Sequence, residues 1–240
     1  MDVLPGLGTT TASSNSLPPP SSLWTFSFGK DGPTFSIDDQ VSMQARRLLD
    51  DIITKRGPFQ MFCENYFRCY QQSIPIINEE EFYWRLENGS GSGGGGEDPH
   101  FCVLLLAIIC ITQLFPQQRD GIDIDSSESL GELYPTLKSV YSMLQSTGRV
   151  TLEIIQIGIL LASYEHAQAL HQNAWLSMGS CVRMSQVLGL HTLLQTPVPA
   201  DREERIALES RRRLWWAVVM IERYLFFSAP NPRLLHTSLH

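Results

Sequence analysis

The sequence predicts an all-α protein, an irregular bundle of antiparallel helix pairs behind a disordered N-terminal tail. Apolar residues recur at helical spacing over most of the 240 residues. No segment alternates apolar and polar residues with the two-residue period of a strand, and cap and stop residues punctuate the helical stretches. With 43% hydrophobic and 18% charged residues, the composition is that of an ordinary globular chain with a substantial core.

Residues 1–35 are rich in Ser, Thr, Pro and Gly with little to bury, so they are expected to be disordered. A first helix begins at residue 36, where Val41, Ala45, Leu48, Leu49, Ile52 and Ile53 share one face. Asp38 and Asp39 suit its first turn, Lys55 and Arg56 its last, and Gly57 its C-cap. An aromatic-rich helix follows over 58–71, then an extended connector, SIPIIN. Asn78 with Glu81 forms a capping box for a short helix through Leu86, and NGSGSGGGG (88–96) reads as a flexible loop.

Asp98 and Pro99 open FCVLLLAIICITQLF, which Pro116 closes. Its 15 residues fall short of the ~18–20 that a membrane span needs, so it is expected to be a helix buried on all sides. The next stretch, ending at Gly148, should be helical with a break or kink at Pro135. Thr151 caps LEIIQIGILLASYEHAQAL, a short turn near His171 follows, and NAWLSMGSCVRMSQVLGL stops at Gly189. So short a turn makes these two helices an antiparallel pair. Asp201 with Glu204 opens the last helix, to about Phe227. The expected organisation is a tail (1–35), a helical domain (36–228) and an unstructured tail (229–240).

The formal charge of −7, from 18 basic and 25 acidic residues, argues against unaided binding to a phosphate backbone. The dense basic cluster Arg211–Arg213, in the stretch ESRRRLWW, lies on a helix whose apolar face holds Ala207, Ser210, Leu214, Val218, Ile221 and Leu225. At 100° per residue the three arginines point in different directions. Arg211 and Trp215, and Arg212 and Trp216, are i,i+4 neighbours whose guanidinium and indole groups are expected to stack. Glu209 is placed to pair with Arg213.

Cys63, Cys69, Cys102, Cys110 and Cys181 lack CxxC spacing and are expected to be free thiols. His166 and His171 straddle a turn without a third ligand. Asp50 and Asp51 lack the remainder of the DDxxD motif of terpene cyclases. With no GxSxG, HExxH, GxGxxG or P-loop, no catalytic, cofactor-binding or metal residues are expected, and the chain is read as a non-enzyme.

Two long motifs carry a family resemblance. The first includes Ala174, Trp175, Gly179, Arg183, Met184, Leu188, Gly189, Leu190 and His191. The second is Glu209, Arg211, Arg212, Arg213, Leu214, Trp215, Trp216 and Arg223, with Glu222 where the pattern usually has Asp. Upstream, YFRCYQQSIPIINEEEF and CVLLLAIICITQLF fit the same pattern. Over about residues 62–227 the chain resembles the fungal-specific transcription factor domain, the regulatory middle homology region of fungal binuclear zinc cluster transcription factors.

The resemblance implies a regulatory helical domain that tunes transcription of a metabolic or secondary-metabolite gene set in the nucleus. The family's two zinc ions belong to an N-terminal cysteine cluster, and here no cysteine precedes Cys63. No cofactor and no direct DNA contact are therefore expected of this chain. The expected partner is a protein, either a DNA-bound transcription factor or the chain itself, with a small molecule as a further candidate effector. The resemblance also implies a continuation past residue 228 that 229–240 do not resemble, so a truncated product is expected. Trp175, Arg183, Gly189 and His191 would fix the helix pair and its exit. Arg211, Arg212, Arg213, Trp215 and Trp216 would lock the last helix against it, and Gly179, Glu209 and Arg223 complete the motif. The alternatives are an α-helical small-molecule-binding module or enzyme, or a non-functional truncated remnant.

Overall fold

Cap residues set the helix starts in the computed structural model, which describes residues 37–56, 59–89, 98–114 and 133–228. The expectations for both tails, Gly57, Pro116 and residues 90–97 lie outside the described residues. In chain order the elements are α1 (Ile37–Arg56), α2 (Gln60–Asn65) running into a π-helical turn (Tyr66–Tyr70), and α3 (Glu79–Gly89). Then come α4 (Pro99–Thr112), α5 (Leu133–Ser146), α6 (Leu152–Ala167) and α7 (His171–Val187). A 3-10 turn (Leu190–Gln195) leads to α8 (Arg202–Ser228). The fold is all-α, and no described residue lies in a strand.

The Asp98 side chain accepts from the His100 N–H at 3.0 Å, with Pro99 at the first helical position. Thr151 accepts from the Ile154 N–H, Asn78 from the Glu81 N–H and Asp201 from the Glu204 N–H. Each satisfies an amide that the first helical turn leaves without a partner. Helix α4 is buried from Cys102 through Thr112, as its uninterrupted apolar run requires.

Three local expectations are corrected. Pro135 does not break α5, which runs without interruption from Leu133 through Ser146. Asn88 and Gly89 belong to α3 rather than to a loop, and the Asn88 amide donates to the Trp84 carbonyl at 2.7 Å. In α8, Ala207 is exposed and Ser210 half-buried, whereas Leu214, Val218, Ile221 and Leu225 are buried. The 27-residue α8 runs about 40 Å against about 25 Å for the 17-residue α7, so its first turns outrun the core.

Helices α6 and α7 form the antiparallel pair. Glu165 near the end of α6 meets Ser177 at 2.6 Å, and Ile155 near its start meets Cys181 at 3.8 Å. Their three-residue link holds Ala169 at φ 59, and the Leu170 N–H closes onto the Glu165 carbonyl at 2.8 Å. This is a left-handed helix exit that glycine usually supplies. Gly158 lets α6 approach its neighbours. A Cβ there would meet Cys181 Sγ on α7 and Tyr141 Oη on α5 well inside the 3.0 Å that real Cβ atoms respect.

Aromatic rings join the first half of the chain to α4: Tyr66–Phe67 at 5.1 Å, Phe67–Phe82 at 5.3 Å and Phe82–Phe101 at 5.5 Å between centroids. The Gln71 amide bonds the Tyr66 hydroxyl and the Ile77 backbone, pinning the connector. Burial pushes the thiols of Cys63, Cys110 and Cys181 up to about 12, so they stay protonated and inert packing groups.

Candidate interaction site on the last helix

The motif residues gather where α7 turns back toward α8. Gly189 adopts φ +67, a left-handed value that an L side chain rarely takes, and so ends α7. Its carbonyl accepts the Thr192 N–H at 3.1 Å and hydroxyl at 2.8 Å, which starts the 3-10 turn. At the far end of that turn Arg212 bonds two carbonyls, Leu193 through Nε at 3.1 Å and Thr196 through Nη2 at 2.6 Å. The guanidinium thus satisfies acceptors that a helix end leaves orphaned.

The expected Arg212–Trp216 stack is not formed, because the turn's carbonyls capture the guanidinium. The one cation–π contact among the described residues is Arg85 over Phe101, at 4.6 Å. Arg213 pairs with Glu209 at 2.9 Å, and Arg211 is exposed. The triplet therefore presents no common basic surface. Arg212→Ala is expected to cost about 1.5–3 kcal/mol, the range for hydrogen bonds to a charged group. Because its partners are neutral carbonyls, this loss should persist in high salt, which urea denaturation at two ionic strengths would check.

Trp215 is half-buried against the core, with its ring 6.1 Å from that of the exposed His191. Trp175 is half-buried, 6.4 Å from Phe226 between ring centroids. Arg183 is exposed and donates back to the Gly179 carbonyl at 3.0 Å, and Arg223 is exposed. The structure thus brings Gly189, His191, Arg212 and Trp215 together, and leaves Arg183, Trp216 and Arg223 apart from them.

Trp216 is 51% exposed and heads an i, i+4, i+8 stripe with Met220 and Tyr224. Met220 is 68% exposed. Together with Ser73, Ile74 and Pro75 of the connector, the stripe lines a groove of about 470 Å³. The His166 ring meets Tyr224 at 5.0 Å. Its imidazole titrates below the usual histidine range, through desolvation and then the neighbouring His171. The strip lies beside the buried face of α8 (Leu214, Val218, Ile221 and Leu225) and leaves apolar surface exposed that a partner could cover.

The sequence reading missed a buried polar cluster. Glu165 on α6 is fully buried, and its carboxylate accepts from Tyr134 at 2.8 Å, Lys138 at 2.6 Å and Ser177 at 2.6 Å. Lys138 Nζ also donates to Ser177 Oγ, and Asn173 donates to the Tyr134 hydroxyl at 3.1 Å. The available signal was the lone acid continuing the apolar Ile154–Gly158–Leu161 face of α6. With Ser177 buried against a carboxylate, the cluster ties three helices together and offers no open nucleophile.

No group of three His, Cys, Asp or Glu side chains among the described residues could hold a metal ion. They supply no fit for a zinc pair. No described helix is long and apolar enough to cross a membrane.

The chain belongs to the fungal specific transcription factor domain family, which matches residues 63–239. Transcription factor BOA15 of Botryotinia fuckeliana is 32% identical over 174 residues, 72% of this chain and 86% of that protein. The citrinin biosynthesis transcriptional activator mrl3 of Monascus ruber is 32% identical over 91 residues, and transcription factor tazR of Aspergillus terreus 33% over 167. Those matches cover 38% and 67% of this chain, but only 18% and 24% of the relatives' own lengths. No solved structure matches the chain.

Proposed function

We propose that the chain is a transcriptional regulator of a secondary-metabolite gene set, working in the nucleus by contact with a DNA-bound transcription factor. The observation that carries this reading is the match to the family together with relatives named as transcription factors and biosynthesis activators. The net charge of −7 and the internal use of Arg212 and Arg213 support contact with protein rather than with phosphates. The contact is assigned to the Trp216–Met220–Tyr224 stripe.

The test fuses the full chain to an unrelated DNA-binding module above a reporter gene. The fusion is expected to change reporter output relative to the module alone. Trp216→Glu with Met220→Glu, both at exposed positions, should remove that change while leaving the unfolding midpoint in place. A folded fusion that leaves the reporter at the level of the module alone would overturn the proposal.

A further inference from the structure

Away from the motif residues, α1, α3 and α4 enclose a second cavity, of about 420 Å³. We propose that it is a binding site for a neutral, planar aromatic molecule carrying a carbonyl or phenolic oxygen. This goes beyond the regulator reading and stands on the cavity alone.

The volume falls within the range of small-molecule sites, which are concave, mostly apolar and carry few polar groups. Leu49 and Leu105 form apolar walls, and Phe59, Trp84 and Phe101 add aromatic ones. Flat rings in such a setting favour a flat aromatic guest, by stacking or edge contact. Trp84 is 64% exposed although it sits at this apolar cavity. A planar molecule beside it would remove indole surface from water, a gain the unliganded chain forgoes.

Charge selects against an ion. Arg46 and Arg85 line the cavity together with Asp50 and Asp98, so formal charges balance. Arg85 is also fixed in place. One terminal nitrogen donates to Glu153 at 3.1 Å, the other to Asp98 at 2.9 Å, and the guanidinium lies over the Phe101 ring. Arginine carries five N–H donors, so donors on the same rigid fork remain for a neutral oxygen acceptor. A pre-oriented donor beside aromatic walls selects an oxygenated ring over a plain hydrocarbon, because the polar group is held in place before binding.

The probe is 6-propionyl-2-(dimethylamino)naphthalene, a neutral planar aromatic ketone whose emission shifts to the blue in apolar surroundings. Titrated into the full chain, it is expected to bind saturably at one site and to raise the unfolding temperature. Ile53→Trp, which fills the mouth, and Trp84→Ala, which removes a wall at an exposed position, should each weaken binding about tenfold. The same naphthalene without its ketone should bind about tenfold more weakly, for want of one hydrogen bond to a charged donor. Leu176→Glu, at a 74% exposed position on α7 away from the cavity, should leave the affinity unchanged.

The absence of saturable binding would overturn the proposal. So would unchanged affinity in a folded Ile53→Trp or Trp84→Ala protein, or loss of binding in Leu176→Glu. Equal affinity for the ketone-free ring would overturn the assigned ligand class.

Discussion

Gly158→Ala is expected to lower the stability of the domain by about 3 kcal/mol or more, the upper end of the range for overpacking a filled core. In an open helix interior the same change would stabilise by about 1 kcal/mol, since alanine is the better helix former. Here the added methyl would be driven into Cys181 Sγ and Tyr141 Oη at once. Neither group can swing aside, because Cys181 is fully buried and Tyr141 nearly so. Three helices would have to separate to admit one carbon.

Gly179→Ala is the matched control, one helix away. Its Cβ would meet only Arg183 Nη1, at 3.4 Å, the far end of an exposed side chain, so helix propensity should win and stability hold or rise. Urea midpoints of the two variants decide the matter. Equal midpoints would mean that α5, α6 and α7 do not meet at Gly158.

The second large effect is expected at Lys138. Lys138→Met should cost about 3–5 kcal/mol, the usual penalty for stripping the partner from a buried charge. Glu165 has no exposed side-chain surface, whereas Lys138 keeps 30% of its own. Loss of the lysine strands a carboxylate that cannot reach water. Glu165→Gln leaves an ammonium that can, and should cost less, about 1–3 kcal/mol.

The double variant Lys138→Met with Glu165→Leu should recover part of the single-variant loss, because buried ion pairs replaced by apolar groups are often neutral. Chemical denaturation of Lys138→Met, of Glu165→Leu and of this double variant, with the unchanged chain, forms a double-mutant cycle. Strictly additive losses would show that the two groups do not interact.

Much of the fold was legible because its signals are local. The Asp98, Thr151 and Asp201 caps and the Gly189 stop act within four residues, so a sequence window contains both partners. Pro135 was misread because a sequence window shows the proline but not the backbone path through it. A helical wheel gives the direction in which Arg212 leaves the backbone. Its target, though, lies 16 and 19 residues away in sequence, across a reversal that no period reveals. Glu165 was overlooked for the same reason, since its partners come from α5 and α7.

Of the candidate site, the motif residues were legible as a pattern, and their division of labour was not. Trp215 and Trp216 are neighbours in sequence, yet one leans on the core and the other faces the groove. Only the packing of α8 distinguishes them.

In mechanical terms α8 is a beam clasped near its midpoint. Its buried grip runs from Leu214 to Leu225, and the Arg212 clasp sits at the edge of that grip. From Arg202 to Arg212 the free arm measures about 15 Å. A rotation of roughly 5° about the clasp would therefore carry the Arg202 end through about 1 Å, by the same geometry.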